Sequence, residues 1–249
     1  MVVYSGAAVR YGGDAGAEMK RSEINRIMHE GGEFLRRMRF LLPPFAWWSP
    51  EDWAKRGPDA RGIVSGQLGW DITDFGSGDF PRTGLFLFTI RNGTVAGLAE
   101  PAGKTYAEKI LIVQPGQVTP THFHFDKMED IINRGGGVLD IAFWNSTPEG
   151  ELADTPVVLQ CDGVERTLEP GAVVSFPPGE SVSIPAGVYH RFLGRAGTGT
   201  VLVGEVSKVN DDRVDNRFHD PVGRFPTVEE DEPPLHLLTG DYPRYYRFA

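Results

Sequence analysis

The chain has 249 residues, a formal net charge of −9, 31 glycines, 19 prolines and one cysteine. The acidic balance argues against a nucleic-acid partner and disfavours anionic membranes, because both attract basic surfaces. Cys161 alone excludes an internal disulfide, and no run of about 18 apolar residues is present to span a bilayer.

Residues 1–18, MVVYSGAAVRYGGDAGAE, are small, glycine-rich and unperiodic, and read as a flexible leader with Met19 as a candidate second start. They lack the charged and apolar blocks of a signal peptide, so a soluble, cytoplasmic protein is expected. Residues 19–249 read as a single domain. A helical period begins at once: Ile24, Ile27, Met28, Leu35 and Met38 fall on one face, Ser22 is the expected N-cap, and Gly31-Gly32 should weaken or kink the helix. WWSPEDW starts a second helix, with Ser49 as cap, Pro50 in the first turn, and Glu51 and Asp52 near the positive end of the dipole. Trp47, Trp48, Trp53 and Trp70 are read as core packing rather than as a sugar-stacking platform.

From residue 84 the pattern turns to β structure. GLFLFTIRNG reads as a strand ending in an Asn92-Gly93 hairpin turn, and six further apolar or alternating runs follow between turn residues. VVLQCDGVERTL reads as a hairpin turning at Asp162-Gly163, which makes Cys161 structural. Short strands at this spacing suggest a sandwich or barrel. After about Val209 the chain is polar and acidic, and it ends in the aromatic tail DYPRYYRFA.

Chemistry concentrates in TPTHFHFDKMED. On a strand, alternate side chains leave the same face, so His122 and His124 point together and Phe123 points away. Glu129 follows, and SIPAGVYH delivers His190 on a later strand. Three nitrogens and one carboxylate oxygen suit Mn²⁺, Fe²⁺, Zn²⁺ or Ni²⁺, and an octahedral ion would keep two positions for water or substrate. Glu129 is able to act as a general base only if its bond to such an ion is loose, so a second carboxylate is sought: Glu205 in VGEVS or Asp220 in FHDPVGR. Spacing does not choose between them. Lys109, if it points inward, is a costly buried cation unless it binds a substrate oxygen or pairs with a carboxylate. Lys127 lies between the ligands in sequence and either faces the substrate mouth or is solvated. Arg217 and Arg224 are read as salt-bridge partners, and Asp211, Asp212 and Asp215 as a solvated loop rather than a lid.

The order Gly116, His122, His124, Glu129, Gly136, followed by Gly179, Pro185, Gly187 and His190, resembles the two-part signature of the cupins. That resemblance implies a mainly β, cupin-type β-barrel (jelly roll), here with an N-terminal helical extension, and a metal held by His122, His124, Glu129 and His190. Gly194 stands where cupins often carry an asparagine that is not a ligand. A closer resemblance rests on MKRSEINRIM, LPPFAWWSPEDW, LGWDITDFGSGDF, HFHFDKMEDIINRGGG, NSTPEGELADTPV, PAGVYHRF and GEVSKVNDD, and covers roughly residues 19 to 240. It is to the D-lyxose isomerase family of cupins. It implies interconversion of D-lyxose with D-xylulose, and of D-mannose with D-fructose, through an enediol(ate). Mn²⁺ is the implied metal, with Zn²⁺, Fe²⁺, Co²⁺ and Ni²⁺ as alternatives, and the catalytic residues are sought among Lys109, Lys127, Glu205 and Asp220. An Fe²⁺ dioxygenase and a non-catalytic metal- or sugar-binding barrel are the rival readings. A homodimer acting on free, small-molecule sugars is expected.

Overall fold

The structure is a computed structural model that describes residues 18–223 and 227–248. The expected leader, apart from residue 18, and Arg224 lie outside the described residues. The fold is mainly β and is built around two antiparallel sheets, with a short parallel pair, Met19–Lys20 and Val228–Glu229, beside them.

The larger sheet runs, in spatial order, Gly69–Thr73, Leu85–Arg91, Tyr106–Val113, Val201–Lys208, Glu129–Gly136, Ser181–Ile184, Val157–Cys161 and Val164–Leu168. The smaller runs Val173–Phe176, Leu139–Asn145, Val188–Gly194, Val118–His124 and Asn216–Phe218. Inward-facing residues of both sheets, among them Leu87, Leu111, Ile131 and Val203 opposite Ile141, Phe143, Phe192 and Phe218, form one buried cluster between them. Alternation along each strand produces this layer, because every second side chain faces the partner sheet.

Two ladders facing each other replace the expected closed barrel. One edge of the large sheet is covered by the C-terminal segment, where Trp70 bridges to Leu238. The other edge, Val164–Leu168, is almost wholly exposed. Between the sheets the backbone makes only isolated bridges, Thr83 with Val118 and Pro115 with Gly194, so no continuous ladder joins them.

A helix, Arg21–Arg37, lies on the outer face of the large sheet and buries Ile24, Ile27, Met28 and Leu35 against Phe86, Phe88, Ile110 and Ile112. Gly31-Gly32 does not break it. A Cβ on Gly31 would come 2.4 Å from the Phe86 ring, so the glycine permits a close helix–sheet approach. Ser22 is not the cap: Lys20 holds that position, and the Ser22 backbone N–H donates to Asp231 Oδ1 at 2.9 Å. A carboxylate about two hundred residues away satisfies an N-terminal donor that local sequence was expected to satisfy. Ser49 caps Pro50–Ala54 with a reciprocal bond to Asp52, as its sequence implied.

The tryptophans are structural, with Trp53 and Trp70 buried in aromatic clusters. Asp162-Gly163 forms the expected turn, both at positive φ, and Cys161 is buried in the core. Asn92-Gly93 does not close a two-residue hairpin. Leu85–Arg91 and Tyr106–Val113 do pair, but a long loop containing the short helix Ala96–Ala99 joins them, and Asn92 donates instead to the carbonyl of Asn210 at 3.0 Å. No helix among the described residues is long and apolar enough to cross a membrane.

Candidate metal centre and polar cluster

Strand alternation places His122 and His124 on the inner face of Val118–His124, while Phe123 packs on the other side against Tyr189. His190 stands directly opposite His122 in the antiparallel register, with ring centroids 4.3 Å apart. One ring nitrogen of each of these histidines lies within 4.8 Å of the others, and all three residues are buried. Glu129 opens a strand of the facing sheet and reaches across the gap. Its Oε1 is 3.1 Å from His190 Nε2 and 3.5 Å from His124 Nε2.

The imidazoles are arranged as ligands. His122 Nδ1–H donates to the Pro120 carbonyl at 2.8 Å, and His190 Nδ1–H to the Val188 carbonyl at 3.0 Å. A carbonyl only accepts, so these bonds assign the proton to Nδ1 and leave the Nε2 lone pairs facing the gap. Burial, and then the neighbouring His190, hold His122 well below the usual imidazole range, so it is neutral. His124 is also lowered, first by burial and then by Lys127.

His190 Nε2 and Glu129 Oε1 are buried and neither has a hydrogen-bond partner among the described residues. A lone pair 3.1 Å from a carboxylate oxygen repels it unless a cation lies between them. The donor set of three imidazoles and a carboxylate, with the Pro120 and Val188 carbonyls already fixing two tautomers, fits a divalent transition metal.

A chain of charges continues along the large sheet. Glu205 and Lys109 face each other across paired strands, and Lys127 comes from the loop before Glu129. Lys127 Nζ lies 2.6 Å from Glu129 Oε2 and 2.8 Å from Glu205 Oε1. Lys109 Nζ lies 3.4 Å from Glu205 Oε1 and 2.8 Å from Asp212 Oδ2. Burial pushes the Lys127 pKa down, but Glu129 and Glu205 outweigh it and hold the ammonium above the usual lysine range. Burial likewise pushes Glu129 up, yet Lys127 and His124 hold it well below the usual carboxylate range. The two lysines, Glu129, Glu205 and Asp212 carry formal charges of +2 and −3, a net −1 beside three imidazoles, which further suits a cation.

The contacts of Glu205, from Lys127, Lys109 and Ser207 Oγ at 3.1 Å, all fall on Oε1. No described donor contacts Oε2, and Glu205 lines a cavity of about 40 Å³ together with His122, His124, Lys109, Lys127 and Glu129. Phe75, Leu87, Leu111, Phe192 and Phe218 supply its apolar walls.

The structure therefore brings together seven of the eight residues singled out in sequence. Asp220 is apart: its side chain is 81% exposed and its carboxylate pairs with His219 Nδ1 at 3.1 Å. Arg217 bonds the Glu149 carbonyl and lies near Glu151, as expected of a salt-bridge residue. Asp212 was read as part of a solvated loop, but it pairs with Lys109 and lines the cavity. A buried Lys109 needs a counter-charge, and Asp212 lies in the acidic run closest after the neighbouring strand; that requirement was the available signal. Asp215 is buried too and accepts from the Asp126 backbone at 2.8 Å. Asn216–Phe218, within the stretch read as polar and acidic, is a strand paired with the one that carries His122 and His124.

The family described as D-lyxose isomerase matches residues 19–242. A D-lyxose/D-mannose isomerase of Serratia proteamaculans is 47% identical over 229 residues, covering 91% of this chain and 99% of its own. One of Escherichia coli O157:H7 is 44% identical over 228 residues, covering 91% and 100%. Among solved structures, the L-ribose isomerase of Acinetobacter sp. DL28 in complex with L-ribose aligns with a TM-score of 0.54 at 16% identity, over 87% of this chain and all of that one. The L-ribose isomerase of Cellulomonas parahominis with L-psicose gives 0.52 at 17% identity, over 85% and 99%. At these identities the structural matches speak to the fold alone.

Proposed function

We propose, because this chain belongs to the D-lyxose isomerase family, that it interconverts D-lyxose with D-xylulose and D-mannose with D-fructose. Its fold corresponds to a cupin-type jelly roll of two facing sheets, with the helix Arg21–Arg37 as an N-terminal extension. One observation carries the reading. A buried carboxylate whose Oε2 has no described donor, Glu205, shares a cavity with the imidazoles of His122 and His124 and the side chains of Lys109 and Lys127.

His122, His124, His190 and Glu129 are the residues that would hold a divalent ion, Mn²⁺ by family resemblance. Such an ion supplies Lewis acidity toward the adjacent C1 and C2 oxygens of an open-chain sugar.

The chain's own residues account for the proton. Oε2 of Glu129 is held by Lys127 at 2.6 Å and Oε1 would be taken up by such an ion, so Glu129 would be a poor proton carrier. Glu205 Oε2 is the better base. It removes the proton from C2 of the aldose and returns it to C1 on the same face of the enediol(ate). Lys127 and Lys109 fix Glu205 through Oε1 and place positive charge beside the developing oxyanion. Asp212 holds Lys109 in place from the other side. Phe192 and Phe218 limit the water that competes for these groups.

Incubation with Mn²⁺ and D-lyxose or D-mannose should form the matching ketose. In D₂O the product should acquire deuterium from solvent. Absence of ketose with every sugar, with oxygen-dependent turnover on Fe²⁺, would favour the dioxygenase reading. Full retention of the original hydrogen would point to a hydride shift and remove Glu205 from its role. We further propose a homodimer, supported by the exposed apolar side chains of Leu41, Trp47 and Phe248, with sedimentation as its check.

A further inference from the structure

The strand Asn216–Phe218 supplies one wall of the cavity at the histidine cluster. In the antiparallel register Asn216 stands directly opposite His124, and Phe218 opposite His122. Side chains paired in this way leave the same face of a sheet, with Cβ atoms about 4.5–5.5 Å apart. Both residues therefore stand beside the imidazoles, and both line the cavity together with Glu205. Phe218 stacks on His122 with ring centroids 5.3 Å apart and offers only an apolar surface. Asn216 brings a neutral polar group.

The Asn216 amide has one orientation. Its Nδ2 donates to the Asp212 backbone carbonyl at 2.6 Å. A carbonyl only accepts, so the nitrogen is on that side and Oδ1 is left as an acceptor. No described residue donates to Oδ1, and the side chain is only half-buried, so the acceptor is open to a ligand. What it takes is a donor, which in a sugar is a hydroxyl. The ammonium groups nearby are already engaged, Lys127 with Glu129 and Glu205, and Lys109 with Glu205 and Asp212.

The size of the space says which hydroxyl. At about 40 Å³ the cavity has room for about three waters, which suits the leading end of an open-chain sugar and not a ring. With C1 and C2 at Glu205 Oε2, the next hydroxyl along the chain is the one on C3. D-Lyxose and D-mannose share their configuration at C2, C3 and C4, so one contact at C3 serves both. We propose that Asn216 accepts a hydrogen bond from the C3 hydroxyl of the substrate and is a specificity-determining residue of this site. The assignment rests on the isomerase reading and adds a substrate contact to it.

The test compares D-lyxose with its 3-deoxy analogue in wild type and in Asn216→Leu, with Mn²⁺ present and circular dichroism confirming the fold. Asn216→Ala is used if the leucine variant unfolds. Wild type should favour D-lyxose in kcat/KM by about tenfold, the effect of one hydrogen bond, and the variant should turn over the two sugars about equally. A purely structural fault would slow both sugars alike and leave the ratio standing. Binding is read separately by calorimetry with D-arabinitol, the open-chain polyol obtained by reducing D-lyxose, against its 3-deoxy analogue. C3 is the middle carbon of that polyol, so the comparison holds whichever end enters. The same preference should appear in wild type and vanish in the variant. A wild type that fails to distinguish the two polyols, or a folded variant that keeps the preference, overturns the assignment. No ketose from wild type, with the polyol preference present and lost in the variant, sinks the isomerase reading and leaves the Asn216 contact standing.

Discussion

Glu129 and Glu205 are both buried, both carboxylates and both within 2.8 Å of the Lys127 ammonium, yet their surroundings assign them different tasks. Glu129 points Oε1 at two imidazoles, whereas the described contacts of Glu205 fall on its Oε1 alone. Glu205→Gln should therefore lower kcat by about 10²–10⁴-fold while bound metal stays at the wild-type level. Glu129→Gln should lose metal together with activity. Metal analysis alongside kinetics separates the two, and equal metal loss in both variants would refute the division. Lys109→Met removes a cation that touches Glu205 and Asp212. It should reduce kcat without loss of metal, because Lys109 contacts none of the imidazoles in the described set of ion pairs. Unaltered kinetics would return Lys109 to a purely structural role.

Among the elements, the helix Arg21–Arg37 shows how a distant segment finishes what local sequence leaves open. Its first residue, Arg21, is fully buried and donates to Glu230 at 2.8 Å and to Asp241 at 2.9 Å. Ser22 donates to Asp231 in the same way, through its backbone N–H and its hydroxyl. The C-terminal acidic run is therefore a clasp on the helix, not a free polar tail. Arg21→Met leaves Asp241 partly buried without its partner and should cost about 2–3 kcal/mol, below the value for a fully buried pair because Glu230 is partly exposed. The Arg21 hydrogen bond holds the Glu230 pKa below the usual glutamate range. A lowered folded-state pKa contributes stability above the unfolded pKa and loses it as pH falls through the folded one. Urea midpoints should accordingly fall on acidification through the carboxylate range, and this fall should be shallower in Arg21→Met than in wild type. An identical slope in both proteins would remove the clasp from the acid response.

For the whole molecule, the two sheets meet at the site. The histidines project from the smaller sheet and Glu129 from the larger, so an ion held among them would tie the two layers together. Chelation should then abolish ketose formation and also lower the melting temperature, and Mn²⁺ should restore both. Free ion at about 100 times Kd should add about 2.7 kcal/mol of stability by mass action. His190→Ala should show no such thermal response. A melting temperature indifferent to metal in the wild type would mean that the ion does not bridge the sheets.

Sequence by itself determined many of the strands, the helix face and the pairing of two histidines on one face, because each depends on a short-range period. His122 and His124 share a face through strand alternation, and Asp162-Gly163 turns through its own backbone preference. Which groups meet across the chain depends on register and on the packing of two layers, neither of which has a local period. Tertiary structure alone therefore separated Asp212 from the solvated loop, left the Asp220 side chain exposed beside His219, replaced Ser22 as cap and left the sheets unclosed. It also placed three carboxylates and two lysines in one buried network, because only folding removes the water that would otherwise screen them.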